Sequence, residues 1–295
     1  MVSGVSGLVG GASARVRRHV VPQSLKVRVG LAMLMAFVVM AIVGPYVAPY
    51  NPSAMSAAIL APPSGAHLLG TTESGQDVLS QLLVGSGISL LVGFAAGAIA
   101  TVLSVVVGVA AGFVSGWGSE ALSTLSNVFL VIPALPLVIV LAGYLPSKGS
   151  VAVAVVIAVT GWAWGARVLR VQTLSIRRRE FVLAARAVGE PNWRLIIFEI
   201  LPNEVPIIAS SFLFTVIFAI LTEAGLAFLG IGNVTSWSWG SMLYWAQNYQ
   251  AFASGAWWWY VPPGACVALV GMALALVNFG IDEYVNPRLR AGNGR

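Results

Sequence analysis

The densest chemistry in this chain lies between Arg177 and Asn203, which read RRREFVLAARAVGEPNWRLIIFEILPN. The guanidinium groups of Arg178, Arg179 and Arg186 are fixed positive forks suited to carboxylates or phosphates. Elsewhere charge is scarce: Asp, Glu, Lys and Arg make up 9% of the sequence. Charge is costly at the middle of a bilayer, so this segment belongs in water, on lipid headgroups or against another protein. Glu223 is read as the one acid well inside an apolar run. Such a group is a functional candidate by default; hydrogen bonding between helices is its structural alternative. His67, Glu73 and Asp77 place possible ligands on one loop, but their spacing matches no compact metal set, and solvation or helix capping accounts for them. Cys266 stands alone in an apolar run, a packing residue that excludes a disulfide framework. There is no G-x-x-x-x-G-K-[ST] phosphate loop, and the only lysines are Lys26 and Lys148, so the chain is not expected to hydrolyse ATP.

Membrane helices must position these residues. The sequence is 58% hydrophobic, whereas a soluble domain is about one-quarter charged; it reads as an all-α polytopic membrane protein. Its apolar runs are continuous, without the alternation of a transmembrane β-barrel. A bilayer core takes roughly 20 apolar helical residues. Six stretches qualify: Val29–Val47, Ile88–Ser115, Leu122–Tyr144, Val151–Leu169, Val205–Leu229 and Trp259–Phe279. A net charge of +6 raises nucleic acid as a partner, but the positions of the basic residues argue against it. Arg15, Arg17, Arg18, Lys26 and Arg28 precede the first span; Arg167, Arg170, Arg177, Arg178, Arg179, Arg186 and Arg194 sit together; Arg288, Arg290 and Arg295 close the chain. Six crossings place all three clusters on the cytoplasmic side, as the positive-inside rule requires. The expected organisation is a basic segment 1–28, a six-span domain 29–285 with a cytoplasmic loop at about 170–203, and a tail 286–295. The first apolar run starts too late and runs too long for a cleaved signal peptide.

Gly93/Gly97, Gly108/Gly112 and Gly112/Gly116 are GxxxG pairs that let helices approach closely in lipid. Trp257, Trp258, Trp259 and Tyr260 read as an interfacial aromatic belt. Pro133 and Pro136 interrupt the third span, and Pro262 and Pro263 the start of the sixth. In the basic loop, Phe181, Ala184, Ala185 and Val188 fall on one face of a short helix, Arg178–Val188. Gly189 suits its left-handed end, and Pro191 the first turn of a second helix, Trp193–Ile200. Pro202 then marks the start of the fifth span. An amphipathic hairpin resting on headgroups is the alternative.

That hairpin resembles the EAA loop of ABC-importer permeases, whose pattern is Glu-Ala-Ala, three residues, Gly, and a later Leu-Pro. Ala184, Ala185, Gly189, Leu201 and Pro202 match, while Leu183 replaces the Glu. Trp162, Ala166-Arg167 and Arg170 look like the run that leads into this loop in peptide permeases. His67-Leu68-Leu69-Gly70-Thr71, Gly75, Asp77-Val78-Leu79-Ser80 and Ile88-Ser89-Leu90 are similar to the segment before the second span of dipeptide/oligopeptide permeases, with Thr72 and Gln76 as departures. Glu223-Ala224, Phe228-Leu229-Gly230-Ile231-Gly232, Trp239-Gly240 and Asn286-Pro287-Arg288-Leu289 extend the likeness towards the C-terminus. The nearest likeness is the C-type permease subunit.

The resemblance implies type I importer architecture in a bacterial or archaeal plasma membrane. Its implied partners are a second, B-type permease, two ATPase subunits carrying ATP and Mg2+, and an extracytoplasmic peptide-binding protein. It assigns ATPase coupling to Arg178, Phe181, Ala184, Ala185, Arg186, Gly189, Trp193, Leu201 and Pro202. The arginines either pair with acidic ATPase residues or only fix topology. Glu223 and Asp77 are the candidates for pathway or gate. A nickel or other small-solute permease is the nearest variant. A stand-alone transporter using Glu223 as a proton-coupled carboxylate, and a membrane anchor without a pathway, are readings from other classes.

Overall fold

Asp77 starts the helix around which the others are arranged. In the computed structural model, which describes residues 25–145 and 149–285, α1 (Leu25–Val47) is followed by α2 (Val78–Phe113). The Asp77 carboxylate accepts from the Ser80 N–H at 2.8 Å, satisfying one of the unpaired donors of a helix start. This cap begins the second span well before the Ile88 that hydropathy alone suggests. At about 1.5 Å per residue, the 36 residues of α2 exceed a ~30 Å hydrocarbon core; the helix tilts strongly or extends beyond it. Then come α3 (Trp117–Val131), α4 (Ala134–Gly143), α5 (Ser150–Ile176), α6 (Glu180–Ala187), α7 (Asn192–Phe228), α8 (Trp239–Asn248) and α9 (Trp257–Val285). Among the described residues there is no strand, only an isolated Thr71–Asp77 bridge.

Small residues let α2 touch two neighbours along its length. A Cβ on Gly93 would fall 2.2 Å from Ile220, and one on Gly97 2.4 Å from Val216, both on α7. Further on, a Cβ on Gly108 would lie 2.5 Å from the Ala166 carbonyl, and one on Gly112 2.5 Å from Thr173, both on α5. Ser104 Oγ donates across the second contact to Trp162 O at 2.6 Å. Contacts this close are the main source of helix adhesion where lipid is as apolar as the side chains. Gly116 is a correction to the expected third pair. It has φ +73° with nothing within 4 Å and forms the turn before α3.

Proline produces most departures from the expected spans. The third is two helices, α3 and α4, meeting at 90°. Ile132 is extended, at φ −72° and ψ 126°, because the Pro133 ring disfavours helix in the residue before it. Among the described residues, five helices are long and apolar enough to cross a membrane, or six if the bent pair is one span. Pro262 and Pro263 lie inside α9 and leave its start unbroken; packed neighbours make that tolerable in a membrane bundle. The short α8 was not expected. A reciprocal Ser238–Ser241 capping box starts it, and Trp239, Met242 and Ala246 bury one face.

The aromatic group at the start of α9 is more than a belt. Trp259 is 2% exposed and stacks on Tyr249 with centroids 6.0 Å apart. Trp258 Nε1 donates to Thr71 O at 3.1 Å, so it holds the loop ahead of α2. Of the four, only Trp257 is exposed. The charges at Arg15, Arg17, Arg18, Lys148, Arg288, Arg290 and Arg295, and the tail motif from Asn286, lie outside the described residues.

The α2–α5 contact has no room for a side chain at Gly108. Gly108→Leu is expected to cost about 1–3 kcal/mol by overpacking. It should lower the unfolding midpoint of the detergent-solubilised protein by several degrees, read by a thermal melt.

Candidate functional site

The basic hairpin is a built element docked on the bundle. At its first corner Arg177 turns back, and its guanidinium donates to the carbonyls of Gly112, Phe113 and Val114 at 3.1, 2.7 and 3.3 Å. These are orphan acceptors at the end of α2, where a cation is favoured. Next, α6 lies across the bundle through Val182, which is fully buried among Val109, Phe113, Ile176, Leu195 and Ile200. Ala185 packs on the same cluster. The helix stops in a Schellman turn: Gly189 N–H donates to Arg186 O at 3.1 Å and Glu190 N–H to Ala185 O at 3.2 Å. Gly189 has φ +90°, a conformation that glycine adopts without strain.

The return limb differs from expectation. Pro191 is the N-cap of α7 and stands just before its first turn. From there one helix continues through the fifth span, with no boundary at Pro202. Pro202 cannot donate to the Phe198 carbonyl and crowds it. The chain absorbs this by widening to a π-helix over Leu195–Ile200, with Leu201 N–H reaching back to Ile196 O. Asn203 Nδ2 donates to the Glu199 carbonyl at 2.7 Å.

The face of α6 turned away from the bundle is apolar. Phe181 is 43% exposed, Leu183 49% and Val188 79%, with Trp193 at 59% beside them. Phe181, Ala184 and Val188, expected to share one face, are all exposed, and it is Val182 that docks. Arg178, Arg179, Glu180 and Phe181 line an open groove of about 750 Å3 with Gln172, Ile176 and Asn203. Arg186 sits over the Phe113 ring at 5.6 Å, and Arg194 approaches Glu190 at 3.7 Å. Trp193 meets Phe198 edge-on at 6.4 Å, and Leu201 packs against the Val182 cluster.

Glu223 and Asp77 lie towards the opposite end of α2. Ser89 Oγ contacts Glu223 Oε2 at 3.5 Å and accepts from Trp239 N–H at 3.0 Å, which joins α7, α2 and α8. Glu223 also lines a cavity of about 20 Å3 with Ser150, Asn233 and Ser238, room for about one water. The Asp77 carboxylate is committed twice, to the Ser80 cap and to His67 Nδ1 at 2.9 Å. Among the described residues, no group of three or more His, Cys, Asp or Glu side chains could hold a metal.

One residue escaped the sequence reading. Glu204, at 0% exposure, is a second acid inside an apolar stretch. Its Oε1 accepts from Thr173 Oγ1 at 2.6 Å. Its signal was present in Leu201-Pro202-Asn203-Glu204-Val205-Pro206, an acid two residues into what looked like the start of a span.

The structure is thus a bundle of long apolar helices that carries a docked basic hairpin. Residues 104–291, more than half of the chain, match the model for the binding-protein-dependent transport system inner membrane component. Residues 27–63 match the N-terminal TM domain of oligopeptide transport permease C. The chain is similar to the dipeptide transport system permease protein of Bacillus subtilis (strain 168), with 34% identity covering 88% of this chain and 81% of that protein. It is 32% identical to the oligopeptide transport system permease protein of the same organism, covering 89% and 85%. It is 33% identical to the probable D,D-dipeptide transport system permease protein of Escherichia coli (strain K12), covering 87% and 85%. The chain belongs to the family of binding-protein-dependent transport inner membrane components, permeases of type I importer architecture.

Glu223→Gln keeps an oxygen for Ser89 and is expected to leave unfolding in detergent within about 1 kcal/mol of the parent. Glu223→Leu strands the Ser89 hydroxyl and should cost about 1–3 kcal/mol, checked in the same melt. In transport assays, unchanged substrate affinity in Glu223→Gln removes direct substrate contact as its role.

Proposed function

We propose that this chain is the C-type permease subunit of an ATP-driven importer of di- or oligopeptides. With a second, B-type permease it forms the translocation pathway. Two ATPase subunits, carrying ATP and Mg2+, drive it, and an extracytoplasmic binding protein delivers peptide. The substrate class comes from the relatives, whose names specify dipeptide and oligopeptide transport. The multi-pass chain lies in the inner membrane with the hairpin and both termini on the cytoplasmic side, a reading supported by the arginines gathered at the hairpin. The exposed apolar sides of α1, such as Met35 and Ile42, face lipid or the second permease.

One observation carries the coupling role. A single buried valine fixes α6 to the bundle, while Phe181, Leu183 and Val188 point outward. Apolar side chains on a water-facing element are the usual mark of a protein interface. The ATPase seats this face, with Ala184 permitting close approach. Arg178 and Arg179, in the groove, pair with acidic ATPase residues. Arg186 is engaged by Phe113 and helps hold the hairpin. Because Leu183 stands where the family pattern has Glu, the contact at that point is apolar. Closure of the ATPases on ATP then shifts the hairpin and reorients the spans, favouring whichever conformation binds the closed ATPases better.

Proline cannot adopt φ +90°, so Gly189→Pro removes the Schellman turn without touching the spans. Membrane insertion and complex assembly are expected to persist, while peptide uptake falls and ATP hydrolysis loses its dependence on loaded binding protein. Reconstituted proteoliposomes read both, and normal uptake by this variant would overturn the coupling role.

A further inference from the structure

The hairpin transmits a push to the bundle only if its two legs move with the spans. The leg that returns is locally weak. Pro202 and Pro206 both sit within the first turns of the fifth span, and neither has a backbone N–H to donate. The π-helical stretch Leu195–Ile200 precedes them directly. A kink or π-bulge is a place where a helix yields, so a displacement of α6 is at risk of being lost there.

Glu204 lies between the two prolines. It is fully buried, and its Oε1 takes the Thr173 hydroxyl hydrogen bond across from α5 at 2.6 Å. Thr173 is itself fully buried and belongs to the last turn of the other leg. The described residues contain two ion pairs, His67–Asp77 and Arg194–Glu190, and neither involves Glu204. Burying a carboxyl group without a counter-ion is costly, and its Oε2 has no partner. An apolar residue avoids that cost, so the position is occupied for the acceptor it provides.

We infer that Glu204 is a positioning residue, and that its hydrogen bond from Thr173 ties the two legs of the coupling hairpin into one rigid unit at the level where α7 is weakest. Arg177 adds the third strut by holding the end of α2. The hairpin then moves α2, α5 and α7 together. This rests on the coupling role proposed above.

The test uses the full complex of both permeases, both ATPases and the binding protein in proteoliposomes, with a dipeptide or oligopeptide that it transports. Peptide imported per ATP hydrolysed is measured for Thr173→Val, Glu204→Leu, Glu204→Gln and the Thr173→Val/Glu204→Leu pair. Only complexes that co-purify intact are compared. Thr173→Val and Glu204→Leu should each lower the coupling ratio about fivefold, the effect of one lost hydrogen bond. The pair should be no worse than either alone, and Glu204→Gln, which keeps the acceptor, should restore the ratio. If Glu204→Leu prevents assembly, Thr173→Val still decides the matter, since it removes the hydroxyl at nearly constant shape. Unchanged coupling in Thr173→Val, additive losses in the pair, or a Gln variant as poor as Leu would each overturn the inference. Gly189→Pro separates the two levels: if it uncouples while Thr173→Val does not, the tie fails alone; if Gly189→Pro couples normally, the hairpin role itself fails.

Discussion

The structure depends on how closely α2 approaches two other helices. Gly93 and Gly97 admit α7, and Gly108 and Gly112 admit α5, with γ-carbons of Ile220 and Val216, the Ala166 carbonyl and Thr173 Cβ where a side chain would stand. In lipid there is little hydrophobic gain in helix association, so short-range contact and a few hydrogen bonds such as Ser104–Trp162 carry the adhesion. Everything else is hung on that triad. The loop before α2 folds back under Trp258, and the hairpin closes on the other end of the same helix through Arg177 and Val182.

The two ends of α2 are finished with different chemistry. At the start, Asp77 is shared by a helix cap and His67, and Glu223 by Ser89 beside the α8 start. Asp77 thereby joins the start of α2 to the loop before it, and Glu223 contacts the Ser89 hydroxyl that the Trp239 N–H also meets. At the far end, the hairpin uses cations on carbonyls and on an aromatic ring, which leaves α6 with apolar groups facing away from the protein.

Much of this was legible in the residues, and the gaps have physical causes. Gly189 announced its left-handed turn because few other residues tolerate that backbone, and its two Schellman hydrogen bonds are present. Span positions followed hydropathy, but their ends did not. Asp77 extends α2 by capping, a local hydrogen bond that hydropathy does not register. Proline was the least readable residue. It divides α3 from α4, is absorbed within α9, and widens α7 into a π-helix, because its effect depends on whether neighbours satisfy the freed carbonyl. The docking residue of α6 was not legible for a related reason: periodicity grouped Phe181, Ala184, Ala185 and Val188 on one face and gave no signal that Val182 is the side chain buried against the bundle. Glu204 was missed because its partner, Thr173, is distant in sequence and ordinary in type.

Proline also divides the bundle into stiff and compliant parts. Neither α2 nor α5 contains one, so each keeps an unbroken ladder of backbone bonds. α1, α7 and α9 each carry at least one proline inside, and α3 and α4 are split by one. Under the coupling role proposed above, a load applied at the hairpin passes along α2 and α5, with α7 tied to them through Glu204, and is relieved as bending in α1, α9 and the α3–α4 pair. The pivot and the deformable shell of this permease are thus written into which helices lack a single imino acid.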